Sequence, residues 1–388
     1  MDAHQAEKRG FEVMLLWLLI LVPLGGLLLI AVSNAFFGPD LRKRYPIERY
    51  PKVSVLIPAR DEEANIMQCL NSIQKQDYPN FEVLVLDDGS TDNTGTLIRE
   101  FALEHPNFHY IPGEALPPGW TGKNWACHQL STAATGQIFV FTDADNWYAP
   151  QALTHSVSWL KHYCLGMLSA FPQQTFQTLG ERLVIPVVDL LVYTGLPLWL
   201  TYHATSPSLA AANGQWMVFT REAYEAIGGH AQVRGQIAED TALARRAKQK
   251  SQRMLTMPGT EVVFGRMYES FAEIWRGFTK NLFSLMGNKT IPFFLTLVAV
   301  FGVAVVPYVL LLFPGLALIG LTGVILNVVI RLIVSVRFRH PVCLSGILHP
   351  LGVLLLLVIG LNSFIETKKN TISWKGREIV IYPQEGNM

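Results

Sequence analysis

The sequence predicts an α/β domain, doubly wound about a largely parallel sheet and set between apolar helices, one before it and about three after it. Three observations carry that expectation. Half of the 388 residues are hydrophobic and only 16% are charged, against roughly 25% in average soluble domains. The shortage of charge is concentrated in long uncharged runs near the two ends of the chain. Between those runs, short β-branched stretches alternate with helical ones, the pattern of strands joined by crossover helices.

Residues 13–37 contain no Asp, Glu, Lys or Arg over 25 positions, enough to cross a hydrocarbon core of about 30 Å at 1.5 Å per residue. The run is too long for the apolar part of a cleaved signal peptide, and Pro23, Gly25 and Gly26 are tolerated in a spanning helix. Arg42, Lys43 and Arg44 follow, with Arg49 and Lys52 close behind. Such clusters mark the cytoplasmic end of a span, so the central domain, residues 52–289, is expected on the cytoplasmic side of the cell (inner) membrane. After Lys289, 41 uncharged residues run to Arg331, with Pro314 and Gly315 placed to turn the chain. Two helices, 291–313 and 316–336, fit that length, and a further uncharged run supplies a third over 342–365. The protein is thereby multi-pass.

One stretch inside the domain, 183–201, is strongly apolar yet contains Asp189 and is broken by Pro186, Gly195 and Pro197. It suits a helix at the membrane interface better than a crossing. The tail, 366–388, sets two rules against each other. Four crossings leave it outside, whereas Lys368, Lys369, Lys375 and Arg377 favour the cytoplasm; a cytoplasmic tail is the expectation.

Within the domain, Val53–Ile57, Phe81–Leu86 and Gln137–Thr142 are continuous apolar strands of the kind buried on both faces of a parallel sheet. Helices are expected over 65–76, 92–105 and 122–135. Ligands of such domains bind at the carboxyl ends of the strands, and the acidic residues collect there. The first strand runs into Pro58, Arg60, Asp61, Glu62 and Glu63, the second into Asp87, Asp88, Gly89, Ser90, Thr91 and Asp92, and the third into Asp143 and Asp145. Any one cluster is equally explained by caps and turns; three on one sheet edge are not. Carboxylates two positions apart offer oxygen ligands to a hard divalent ion, which in turn holds a diphosphate. A nucleoside diphosphate is the natural ligand.

The charge balance of 31 basic against 30 acidic residues, a formal net charge of +1, lacks the footprint of a nucleic-acid partner. Cys69, Cys127, Cys164 and Cys343 are widely spaced, which excludes a zinc-ligand pattern and a short disulfide framework and fits reduced cytoplasmic thiols.

The order of these motifs from about Lys52 to Asn281 resembles the membrane-bound family-2 glycosyltransferases of GT-A fold. The resemblance implies a nucleotide-activated sugar donor, a UDP-sugar. It places Pro58, Arg60, Asp61, Glu62 and Asp88 on the donor's nucleoside side, and makes Asp143 and Asp145 the metal-binding DxD pair for manganese or magnesium. It sets Gly214, Gln215, Trp216 and Arg276 toward the acceptor, and makes Asp240 of the Glu239–Asp240 pair the catalytic base. The same pair also reads as an acidic first turn that stabilises the helix running to Gln249.

Processive synthases of this family carry QxxRW after that helix, whereas this chain has Trp275, Arg276, Gly277 and Phe278. The PPGWTGKNWACHQL segment, with Trp120, Gly122, Lys123 and Trp125, and the tail's Trp374, Lys375, Gly376 and Arg377 are instead similar to carotenoid- and hopanoid-pathway enzymes. Those transfer one sugar to an apolar lipid. Lys123 is then a point contact for the sugar diphosphate or an ordinary solvated lysine at a helix start, and the tryptophans are membrane anchors or acceptor-stacking groups. The expected chemistry is a single displacement with inversion: the metal neutralises the leaving diphosphate and Asp240 deprotonates an acceptor hydroxyl. The alternatives are a processive polysaccharide synthase, a ceramide- or sterol-type glucosyltransferase, and a transporter or scaffold carrying an inactive nucleotide-sugar domain. The last is disfavoured by how few ionisable residues the apolar runs contain.

Overall fold

Val53–Ala59 (β1), Phe81–Asp87 (β2), Phe108–Pro112 (β3) and Ile138–Phe141 (β4) form a parallel block of the main sheet in the computed structural model. The structure describes residues 3–369, 373–374 and 377–378. Asn146–Tyr148 (β5), Met167–Phe171 (β6), Gln173–Gln174 (β7), Met217–Thr220 (β8), Met254–Pro258 (β9) and Val263–Gly265 (β10) follow. The seven-stranded order is β3-β2-β1-β4-β8-β6-β9, and β8 runs antiparallel to both its neighbours, β4 and β6. The expected α/β class therefore holds, with one reversed strand in the sheet. A second, three-stranded sheet, β5-β10-β7, begins just after Asp143 and Asp145.

Why the first strands are uniformly apolar follows from side-chain alternation. Val53, Val55, Ile57, Val83, Val85 and Val140 belong to one buried cluster, and Leu56, Leu84, Leu86, Phe139 and Phe141 to another. Both faces are dry. The crossover helices, Ile66–Gln74, Thr94–Glu104 and Gly122–Ala133, lie within the expected stretches. In register, Ala59 pairs with Asp87 and Leu56 with Phe141, so the loops after β1, β2 and β4 leave from one edge of the sheet.

At the opposite edge the buried Glu82 carboxylate accepts from Ser54 Oγ at 2.6 Å and from the Thr135 backbone N–H at 2.8 Å, and pairs with Lys52 Nζ at 2.7 Å. Burial works against its ionisation, but the Lys52, Ser54 and Thr135 donors prevail and push its pKa down to about 2. Its contribution to stability is thus present above the ordinary carboxylate range and lost as pH falls toward 2. Glu82→Gln turns an amide N–H₂ toward donors and is expected to cost about 1–3 kcal/mol, read as a lower denaturation midpoint at neutral pH.

The sheet and its crossover helices belong to a compact unit formed by 39–175 and 198–267. The other unit comprises 1–38, 176–197 and 268–365. Among the described residues three helices are long and apolar enough to cross a membrane, Gly10–Phe37, Ala317–Phe338 and His349–Lys369. The run expected as one helix over 291–313 is instead Thr290–Ala304 followed by Val306–Leu310. Pro307 cannot donate to the preceding turn, which explains the break. Thr290–Ala304 also meets Phe271–Leu285 at a bend of 117°, so the two together make at most one broken span.

The apolar stretch expected at the interface, 183–201, is a helix over Leu179–Gly195 packed inside this unit. Its charge is partnered: Asp189 Oδ2 lies 2.9 Å from His340 Nε2, and Arg331 Nη1 donates to the Pro186 carbonyl at 2.7 Å. Asn34 Nδ2 closes the C-terminal end by donating to the Tyr193 and Leu196 carbonyls at 2.7 and 2.8 Å. The buried Asp189 carboxylate thus has a hydrogen-bond partner within its own unit. The side of the membrane on which the tail lies falls outside the described residues, as do Lys375 and Gly376.

Candidate active site

The loops after β1 and β2 are stitched to each other. Asp61 takes a positive φ of 49°, a conformation short polar side chains tolerate. It is held there by its N–H donating to Ser90 Oγ at 3.0 Å and by its Oδ1 accepting the Thr91 N–H at 2.7 Å. The Glu62 N–H donates to Thr94 Oγ1 at 2.7 Å, and Glu63 exchanges bonds with Asp92 and Asn93. Arg60 Nη1 donates to the carbonyls of Asp88 and Gly89 at 2.6 and 3.2 Å. Gly89 sits at φ 68°, where a side chain would be strained. Pro58 stands on β1 beside Leu86. Pro58, Arg60, Asp61, Glu62 and Asp88 are thereby brought to one sheet edge, as the sequence implies.

From the third strand end, Asp143 meets two residues that are distant in sequence. Lys123, in the first turn of Gly122–Ala133, places Nζ 2.7 Å from Asp143 Oδ1 and 3.0 Å from Glu239 Oε1. Desolvation opposes its charge, yet the carboxylates of Asp143 and Glu239 raise its pKa well above the usual lysine value. Glu239 and Asp240 open the helix Glu239–Gln249, which ends in Arg246 and Lys248, a charge order that suits the helix dipole. Asp240 accepts from the Gly214 N–H at 3.0 Å and from its neighbour Thr241 N–H at 2.6 Å. Burial and the adjacent Glu239 carboxylate outweigh these donors and push the Asp240 pKa up to about 6. The half-buried Asp145 lies two residues past Asp143, before β5.

Gly214 has a local reason to be glycine. A Cβ there would stand 3.0 Å from Lys123 Nζ and 3.2 Å from Glu239 Oε1. Gly214→Ala is expected to shift this ion pair by a few tenths of an ångström and to lower turnover about tenfold with an unchanged melting temperature, measured on the purified enzyme.

The rest of that segment turns inward, which corrects the expectation that it faces an acceptor. Trp216 is 1% exposed and donates Nε1 to Ser156 Oγ at 3.0 Å, with Tyr148 packed on its ring. Gln215 is buried between Asn146 and Gln174, donating to the Asn146 Oδ1 at 2.9 Å and accepting from Gln174 Nε2 at 3.0 Å. These two fix the backbone of Gly214 rather than offering a surface. Arg276 is an exposed residue of Phe271–Leu285, in the other compact unit.

A residue that the sequence reading passed over is Asn124. Its fully buried amide donates to the carbonyls of Val233, Arg234 and Gln236 at 2.8, 3.0 and 3.0 Å. It ties the helix carrying Lys123 to the loop that enters Glu239. An uncharged polar residue directly after a helix-start lysine was the available signal. Trp120, Trp125 and His128 cluster beside the same helix start, with ring centroids 5.1 to 5.6 Å apart.

A mixed Rossmann-like sheet with carboxylates gathered at its strand ends defines a class of sugar-transferring enzymes of GT-A type. Residues 54–224 match Glycosyl transferase family 2, and the chain carries a glycosyltransferase domain of that family. It is homologous to 4,4'-diaponeurosporenoate glycosyltransferase. The enzyme of Staphylococcus aureus (strain USA300) is 26% identical over 358 residues, covering 86% of this chain and 89% of its own. That of Staphylococcus haemolyticus (strain JCSC1435) is 28% identical over 277 residues, 70% of each chain. Among solved structures, a mannosyltransferase from Pyrobaculum calidifontis in complex with GDP-Man and Mn2+ shares the fold. Its TM-score is 0.58 at 21% identity, covering 92% of this chain and 98% of that one.

Proposed function

We propose that the enzyme moves one sugar, with glucose the first candidate, from a UDP-sugar to an apolar membrane lipid such as a carotenoid or hopanoid, inverting the anomeric centre. The observation that carries this reading is the constellation of Asp143, Lys123, Glu239 and Asp240 around the bare Gly214. An acceptor of apolar character is supported by the staphylococcal relatives, named for diaponeurosporenoate, and by the helices among the described residues that are long and apolar enough to cross a membrane. The basic run Arg42–Arg44 after Phe37 supports a multi-pass protein of the cell membrane with its catalytic domain in the cytoplasm.

On this reading the stitched loops of Arg60, Asp61, Glu62 and Asp88 hold the nucleoside, and Lys123 offers its ammonium to the diphosphate. The donor set at Asp143 and Asp145 suits a divalent ion such as Mn2+ or Mg2+. Both are hard oxygen ligands, and the Asp143 carboxylate already carries a cation in the Lys123 ammonium. Among the described residues no three His, Cys, Asp or Glu are grouped to hold a metal unaided, which fits an ion bound by one or two carboxylates together with substrate phosphates. When bound, such an ion supplies charge neutralisation to the departing diphosphate.

Asp240 then accepts the proton of an acceptor hydroxyl as that oxygen attacks the anomeric carbon from the face opposite the leaving group. Its carboxylate is kept oriented by the N–H groups of Gly214 and Thr241. No covalent sugar–enzyme intermediate is required. A second reading, sugar transfer onto a carboxylate, is favoured by the relatives' name, since diaponeurosporenoate is an acid. A carboxylate is already ionised near pH 7 and needs no base. Mass spectrometry of lipids from cells with and without the protein tests the whole proposal. A lipid gaining one hexose supports it, a ladder of many hexoses points to a polymer synthase, and no sugar gain in any lipid rejects it.

A further inference from the structure

We propose that Lys123 is a built-in counter-cation that occupies the Asp143 carboxylate until a nucleoside diphosphate draws it away, so that the divalent ion and the diphosphate are taken up together. This rests on the donor-site reading above.

One ammonium bridges two carboxylates on separate elements, 2.7 Å from Asp143 Oδ1 at the end of β4 and 3.0 Å from Glu239 Oε1 at a helix start. A divalent ion on that Asp143 oxygen and the ammonium cannot share it, because like charges a few ångströms apart in a half-buried site repel strongly. The backbone of Lys123 is anchored, whereas its ammonium is carried on a flexible four-carbon stem. Thr121 caps the helix by accepting from the Asn124 N–H, and the Asn124 amide fixes the first turn to residues 233–236. Four methylenes separate this anchored backbone from the ammonium, and with glycine at 214 no side chain there crowds Nζ, 3.0 Å from where a Cβ would stand. A diphosphate offers oxygens that replace those of Asp143, so the ammonium exchanges one charge-assisted bond for another. Asp143 is then bare when the ion arrives.

Coupling of this kind is reciprocal: the nucleotide raises affinity for the ion by the same factor as the ion raises affinity for the nucleotide. The test measures binding without turnover. Mn2+ binding to the full chain in detergent is followed by the electron paramagnetic resonance signal of free Mn2+, with and without UDP, and again with GDP. For the wild type, UDP is expected to tighten Mn2+ binding by about tenfold or more. Lys123→Gln is expected to bind Mn2+ several-fold tighter than wild type without nucleotide and to gain little from UDP. Lys123→Arg, which keeps the charge, is expected to retain the coupling. Asp143→Asn, leaving the free-Mn2+ signal undiminished, assigns the binding to this site, and unchanged melting curves establish that the variants fold.

Equal Mn2+ affinity of wild type and Lys123→Gln without nucleotide, with equal gains from UDP, overturns the role of Lys123 and leaves the donor site standing. Absence of Mn2+ binding to the wild type with either nucleotide overturns both.

Discussion

Replacing Asp240 with Asn is expected to lower turnover onto a hydroxyl acceptor by about 10²- to 10⁴-fold, the range for loss of a general base, with nucleotide-sugar affinity nearly unchanged. The amide keeps the size of the side chain but cannot take a proton. The pH profile gives an independent signature. Burial and the neighbouring Glu239 raise the Asp240 pKa to about 6, and the ionised form is the active one. Turnover should therefore fall as pH drops through about 6, stay level above it, and lose that acid limb in the variant. A raised pKa also makes the carboxylate a stronger base than an exposed aspartate, so the environment serves the role. Steady-state rates with a hydroxyl lipid and a carboxylic lipid separate the two acceptor readings. Near-wild-type turnover of the variant on the acid alone would establish the carboxylate acceptor and retire Asp240 as its base.

Complete loss of sugar transfer in chelator, with recovery on adding manganese or magnesium, is the second large effect expected. It follows from the need to neutralise a diphosphate that leaves with added negative charge. Asp145→Asn should weaken donor binding at least tenfold while leaving the far-ultraviolet circular dichroism and the melting temperature unchanged, because Asp145 lies in the short link between β4 and β5 and outside either strand. Direct titration of UDP in the presence and absence of Mn2+ reads the effect. Full activity in chelator would remove both carboxylates from the proposed role.

Legibility differed between parts of the site for identifiable reasons. The strand ends were readable because a parallel sheet buries both faces, which leaves uninterrupted runs such as VSVLI, and because such sheets send their loops off one edge. The acidic loops after β1 and β2 followed from that alone. Gln215 and Trp216 lie in the turn before β8, where no local period says which way a side chain points, and both are buried. Proximity in sequence to Gly214 said nothing about whether they faced a ligand or the core, and the partners that draw them inward, Ser156, Asn146 and Gln174, come from other elements. The run 291–313 was read by charge alone, which measures length between charges but not continuity, and Pro307 broke the helix.

The class of fold, the uncharged runs and the three acidic strand ends are legible along the chain, since each is written in a local period or a local run of residue types. That Lys123 sits between Asp143 and Glu239, that Asn124 locks its helix to the loop before Glu239, and that Asp189 is partnered by His340 emerges from the folded structure alone. These pairings join residues roughly 20 to 150 positions apart. Electrostatic and hydrogen-bond partners act over a few ångströms in space, and no periodicity along the chain encodes which distant residue will occupy that distance.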